Sequence, residues 1–141
     1  MRTEWDDAPV MVVESSTQPE NGEDAPQLHF ANLDEFVREF VVKTFRRRVG
    51  PQAKYRWAAA WFRNTEALVR LEAMWRSWER ARLEPTGMAD WLREVADPQL
   101  EVLLDPDGPF RSSQDSNGPD EPLPYEQPSP HLFPDERRRR A

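Results

Sequence analysis

An all-α fold is predicted for this 141-residue chain by three observations. Apolar residues recur at three-to-four spacing wherever the sequence is patterned, no stretch alternates as a strand does, and Asn caps and Pro/Gly stops bracket the periodic runs. The expected architecture is a small domain of about four helices, one of them long and central, between two disordered tails.

The charge divides the chain. Residues 1–27 carry seven acids against Arg2 alone, a net of −6, with Pro9, Pro19 and Pro26 among small polar residues. Residues 112–141 hold six prolines, six acids and the run Arg137 to Arg140. Both read as disordered tails by composition. Between them, residues 28–111 hold 14 basic and 13 acidic side chains and twelve of the fifteen aromatic residues. Five Trp and six Phe in that span supply the core of a domain so short, since each large aromatic buries about 150–250 Å².

The first helix is expected over 33–48. Asn32 followed by Glu35 has capping-box form, and Leu33, Phe36, Val37, Phe40, Val41 and Phe45 step along one face until Gly50-Pro51. Tyr55, Trp57, Ala58 and Trp61 suggest a short helical turn with both tryptophans on one side. Asn64 caps the long helix, about 65–83, in which Leu68, Leu71, Trp75 and Trp78 form the stripe. Its opposite face carries Glu66/Arg70 and Glu72/Arg76, acid before base at i,i+4, the arrangement of a solvated face. Met88, Trp91, Leu92 and Val95 make a further short helix, and Asp97-Pro98 starts a last one through Leu104. Asp105 to Phe110 is a closing turn.

Chemistry-bearing residues are scarce. The chain has no Cys and two His, His29 and His131, so thiolate nucleophiles, disulfides and the usual zinc sets are excluded, and no metal or cofactor is expected. Asp105-Pro-Asp-Gly108 falls short of a calcium loop, whose frame puts Leu103 and Gln114 at ligand positions. None of the five glycines forms a phosphate loop. The chain is not expected to be an enzyme. The most apolar patch, 57–62, is six residues long, against about 20 for a membrane span. The acidic start lacks an export signal, and the expected location is the cytoplasm.

Two partner classes follow. Trp57, Trp61 and Trp91 lie on short elements at the edge of the long helix and are expected to be partly exposed anchors for a protein partner, while Trp75 and Trp78 are expected in the core. The broad stripe of the long helix also leaves room for a homodimer seam. Alternatively, Lys43, Arg46, Arg47, Arg48, Lys54 and Arg56 form a basic patch for a nucleic acid. The acidic tails compete for the same patch, so a contact between tail and patch, or an acidic protein partner, is an equal expectation.

The ordered series Trp57-x3-Trp61, Glu66-Ala67, Arg70-Leu71, Met74-Trp75, Trp78-Glu79, Trp91, Asp97-Pro98 and Asp105-Pro-Asp-Gly-Pro-Phe110 resembles an actinobacterial family, domain of unknown function 4913, over roughly residues 30–112. The resemblance implies a small helical cytoplasmic protein, encoded near mobile-element and conjugative-transfer genes, and brings no activity with it. Relatives of this pattern carry Cys in place of Ala58 and near Ser112 and Ser113, and His near Asn64 and near Val95 or Gln99. This chain has none of these, and any metal site built on them is lost here.

Overall fold

The computed structural model describes residues 26–137. Residues 29–136 form one compact unit. Outside it, Pro26 and Gln27 are exposed and belong to no helix. The expected acidic tail lies outside the described residues except for these last positions, as does the Arg run after Arg137.

Three helices build the unit, and no strand occurs among the described residues. Helix α1 runs through Leu33–Phe36, a widened π turn at Val37–Val41, and Val42–Thr44. Helix α2 is Thr65–Ala81. Helix α3 is continuous through Gly87–Trp91, a second π turn at Leu92–Ala96, and Asp97–Leu103. The two short helices expected after Gly87 are thus one. Pro98 has no N–H and its ring would crowd the carbonyl four residues earlier, and the wide turn just before it absorbs that conflict without ending the helix. Helix α2 is the spine and packs against both α1 and α3.

The caps form at the expected residues and do more than cap. Asn32 Oδ1 accepts the Glu35 N–H at 2.8 Å, and Asn64 Oδ1 accepts the Ala67 N–H at 2.9 Å. Each amide then donates to a distant carbonyl, Asn32 Nδ2 to Phe133 and Asn64 Nδ2 to Pro109. Aspartate would cap as well but cannot donate, and a serine hydroxyl must accept and donate through one atom, whereas the amide carries an acceptor for the helix and a separate donor for the far chain. The Glu35 carboxylate reaches back to the Ala31 N–H rather than to Asn32.

Helix α1 stops at Thr44, four residues before its expected end. Phe45 leaves the helix at φ −103, ψ 63 and buries against Phe40 and Trp91. The next backbone groups find partners across the fold: Asn117 accepts the Val49 N–H at 2.9 Å and donates to the Arg47 carbonyl at 2.9 Å. The expected turn around Tyr55 is also absent. Tyr55 bridges Val49, Arg56 N–H donates to Leu104, and helical geometry is limited to the single 3₁₀ turn Trp61–Arg63.

The partners of these passages come from residues 112–136, expected as a tail and found as a strap inside the compact unit. Leu123 is 2% exposed and its N–H donates to Val42 at 3.0 Å. Trp57 Nε1 donates to the Pro124 carbonyl at 2.9 Å, Tyr125 bonds Asp34 on α1, and the Glu126 N–H donates to Ala59. Phe133 lies 5.5 Å from Trp61, and the Glu136 N–H donates to Ala31. Proline-rich composition predicted disorder here, yet proline also restricts the unfolded chain and adds no N–H to satisfy. A few well-placed apolar side chains are then enough to order the segment.

Candidate functional site

The tryptophans expected as surface anchors are core residues. Trp57 and Trp61 are 0% exposed and Trp91 is 3% exposed. Trp57 packs edge-on to Phe110 at 5.0 Å under the strap, and Trp61 is flanked by Phe62 and Phe133. Trp91 reaches between α1 and α2, where its Nε1 donates to Ser77 Oγ at 3.0 Å. Short elements looked like edges in the sequence because the segment that covers Trp57 and Trp61 begins beyond the expected boundary. Trp75 is fully buried as expected, whereas Trp78 is only half-buried.

Trp78 opens onto a groove of about 450 Å³ lined by Phe40, Thr44, Pro85, Met88 and Leu92, together with Ala81 and the charged Arg82 and Glu84. Its ring is held by Phe30, Phe36 and Phe40 at 5.0, 6.0 and 5.4 Å. Leu92 in the groove is 39% exposed, and Leu83 in the turn after α2 is 48% exposed. An aromatic floor beside the exposed Leu92 suits apolar side chains of a partner, with Arg82 and Glu84 offering charges in the same groove.

The six expected basic residues separate into two groups. Lys43 pairs with Glu39 at 2.8 Å, and Arg56 Nη1 donates to the carbonyls of Arg111 and Ser113, so both serve the fold. Arg46 donates to the Lys43 and Asp120 carbonyls, and Arg47 to that of Arg46. Contact between the patch and residues 112–136 therefore occurs, but through strap carbonyls rather than strap carboxylates. Arg48 and Lys54 line a cleft of about 470 Å³ with Gln52, Tyr55, Ser116 and Asn117, and Lys54 Nζ stands 5.4 Å from the Tyr55 ring.

Glu79 is the functional-looking carboxylate that sequence reasoning passed over. It is 6% exposed and accepts from the His29 N–H at 2.8 Å, the Phe30 N–H at 2.9 Å, Trp75 Nε1 at 2.9 Å and Arg82 Nε at 3.0 Å. Burial by itself raises its pKa, and the backbone donors His29 and Phe30, with Trp75 and Arg82, outweigh it, so the carboxyl sits below its ordinary 4.5. With every neighbour a donor, it is ionised, saturated and unable to shuttle protons near neutral pH. Its signal in the sequence was position: Glu79 follows Trp75 by four, on the apolar stripe and away from the Glu66/Arg70 face.

Ala58, Asn64, Ser112 and Ser113, where the resemblance expects Cys and His, line one open cavity of about 570 Å³. Its carboxylate, Asp115, accepts the Ala59 N–H. Among the described residues no three His, Cys, Asp or Glu side chains gather as metal ligands, and no helix is long and apolar enough to cross a membrane.

The fold and these surfaces define a class: a small all-helical domain, rich in aromatics, closed by its own C-terminal strap. The family described as a domain of unknown function (DUF4913) matches residues 30–131, and the chain belongs to that family. The match runs through Leu123 and Tyr125, so the family unit contains most of the strap and does not end near residue 112. No curated protein and no solved structure matches the chain.

Proposed function

We propose that the chain is a non-catalytic helical interaction module of the cytoplasm, which docks the apolar side chains of a protein partner in the groove beside Trp78. The observation that carries this reading is the half-buried Trp78 between Phe40, Met88 and the exposed Leu92. Tryptophan is among the residue types most enriched as energetic anchors at interfaces. Service as an accessory of a mobile-element or conjugative-transfer system rests on the family resemblance alone. The experiment is a tagged pull-down from host lysate, with and without nuclease, comparing the native chain with Leu92→Arg. A partner that survives nuclease and is lost with Leu92→Arg, at unchanged Tm, supports the reading. A partner that Leu92→Arg retains, or one lost with nuclease, overturns it.

A further inference from the structure

We infer that the passage between Phe45 and Trp57 is a contact surface for the phosphate backbone of single-stranded nucleic acid, with the Tyr55 cleft as the seat of a base. The inference uses residues outside the Trp78 groove and does not depend on it.

Charge is the first argument. Arg38, Lys43, Arg63, Arg70, Arg76, Arg82 and Arg93 all pair with carboxylates within 4 Å. Arg46, Arg47, Arg48, Lys54 and Arg56 form no such pair among the described residues, and neither do Arg80 and Arg111, but the first five fall within one short passage of the chain; where they bond, it is to backbone carbonyls. The strap passes this side, where Arg46 meets the Asp120 carbonyl and Gly50 lies against Ser116, and it carries the carboxylates Asp115, Asp120 and Glu121. Of those, Asp115 and Glu121 are already accepting backbone N–H groups of Ala59 and Gly118. The cations keep an attractive field for a polyanion.

Geometry is the second. Arg48, Lys54, Tyr55, Gln52 and Ser116 surround one cleft of about 470 Å³. Guanidinium and ammonium groups take phosphate, amide and hydroxyl groups take sugar or base edges, and a half-buried tyrosine offers a ring for stacking. A single strand uses the cations through its phosphates and the Tyr55 ring through a stacked base.

Rigidity is the third. The Gly50 N–H donates to Tyr55 and the Ala53 N–H to Gly50, closing a tight turn. Gly50 sits at φ 149, and a Cβ there would stand 3.1 Å from Ser116 Cβ. The cleft is thus held by a backbone only glycine adopts without strain, and little order remains to be imposed when a strand binds.

The test is fluorescence anisotropy of the full chain with a labelled single strand, the matching duplex, and polyglutamate as competitor. With about four phosphate contacts, log affinity should fall against log salt with a slope near −3, at about −0.7 per contact. Arg47→Ala/Arg48→Ala/Lys54→Ala should bring the slope to about −0.7 and weaken binding at low salt more than about tenfold, at unchanged Tm. Tyr55→Leu should weaken the single strand more than the duplex. Leu92→Gln, which alters the groove without adding charge, should leave strand binding unchanged, so this proposal and the groove fail separately. Absence of binding at about 100 μM protein in about 50 mM salt, the top of the ordinary non-specific range, overturns the inference. So does a triple variant that binds as the native chain does, or displacement by polyglutamate at equal charge.

Discussion

Replacing Glu79 tests whether a single carboxylate ties the entry of the chain to the spine. Its oxygens accept from His29, Phe30, Trp75 and Arg82, and the bonds from Phe30 and Trp75 are buried. Glu79→Ala leaves those two donors without partners in the core, at about 1–3 kcal/mol each, so with the half-buried bonds the cost is roughly 3–5 kcal/mol. For a unit near 100 residues this lowers Tm by at least about 12 °C. Glu79→Gln keeps the volume and one acceptor but turns an amide donor toward donors, and should lie between. The pH dependence separates charge from packing. Because the folded pKa lies below 4.5, the carboxylate's contribution is complete above that pH and is lost as pH falls through the folded value. Urea unfolding should therefore show the stability gap between the native chain and Glu79→Gln narrowing from pH 6 to pH 3. A gap that stays constant over that range, or a Glu79→Ala variant within about 1 kcal/mol of the native chain, would refute the reasoning.

The strap yields three more predictions. Ending the chain at Arg111 removes Leu123, Tyr125 and Phe133 from their contacts and should abolish cooperative thermal unfolding, while Leu123→Ala in the full chain costs about 2–5 kcal/mol by urea denaturation. Trp57→Phe strands the Pro124 carbonyl, whereas the buried Trp61 Nε1 has no hydrogen-bond partner among the described residues. Trp57→Phe should accordingly be the more destabilising of the two Trp→Phe changes by about 1 kcal/mol in chemical denaturation. Tyr125 is kept neutral by burial and by its bond to Asp34, which raise its pKa above the ordinary 10. Its contribution is full below pH 10 and lost as pH rises beyond it, so Tyr125→Phe should be less stable at pH 8 and close the gap above pH 10, read by circular dichroism.

Elements whose partners lie within four residues were legible. The Asn32 and Asn64 caps, the extent of α2, and the Glu66–Arg70 and Glu72–Arg76 pairs all stand where spacing put them. The candidate sites fared differently. Trp57, Trp61 and Trp91 stand on short elements, which in a sequence look like edges, and segments far along the chain bury them. Arg48 and Lys54 do line one cleft, with Arg46 and Arg47 just before it in the chain, but past the end of α1 and not on it. Arg56 and Lys43 turned out to hold the fold.

By itself, then, the amino-acid sequence determined the helical class, the spine and its caps, and the family, because helix periodicity and capping act between near neighbours. Tertiary structure decided where the domain ends, which tryptophan meets solvent, and which cations stay uncompensated. Asn32 and Phe133 are 101 positions apart, Arg46 and Asp120 are 74, and His29 and Glu79 are 50. Bonds of that reach leave no period in a sequence. They arise when packing brings a polar group from a distant segment, the strap in two of these bonds and α2 in the third, within reach of one that has no near neighbour to pair with.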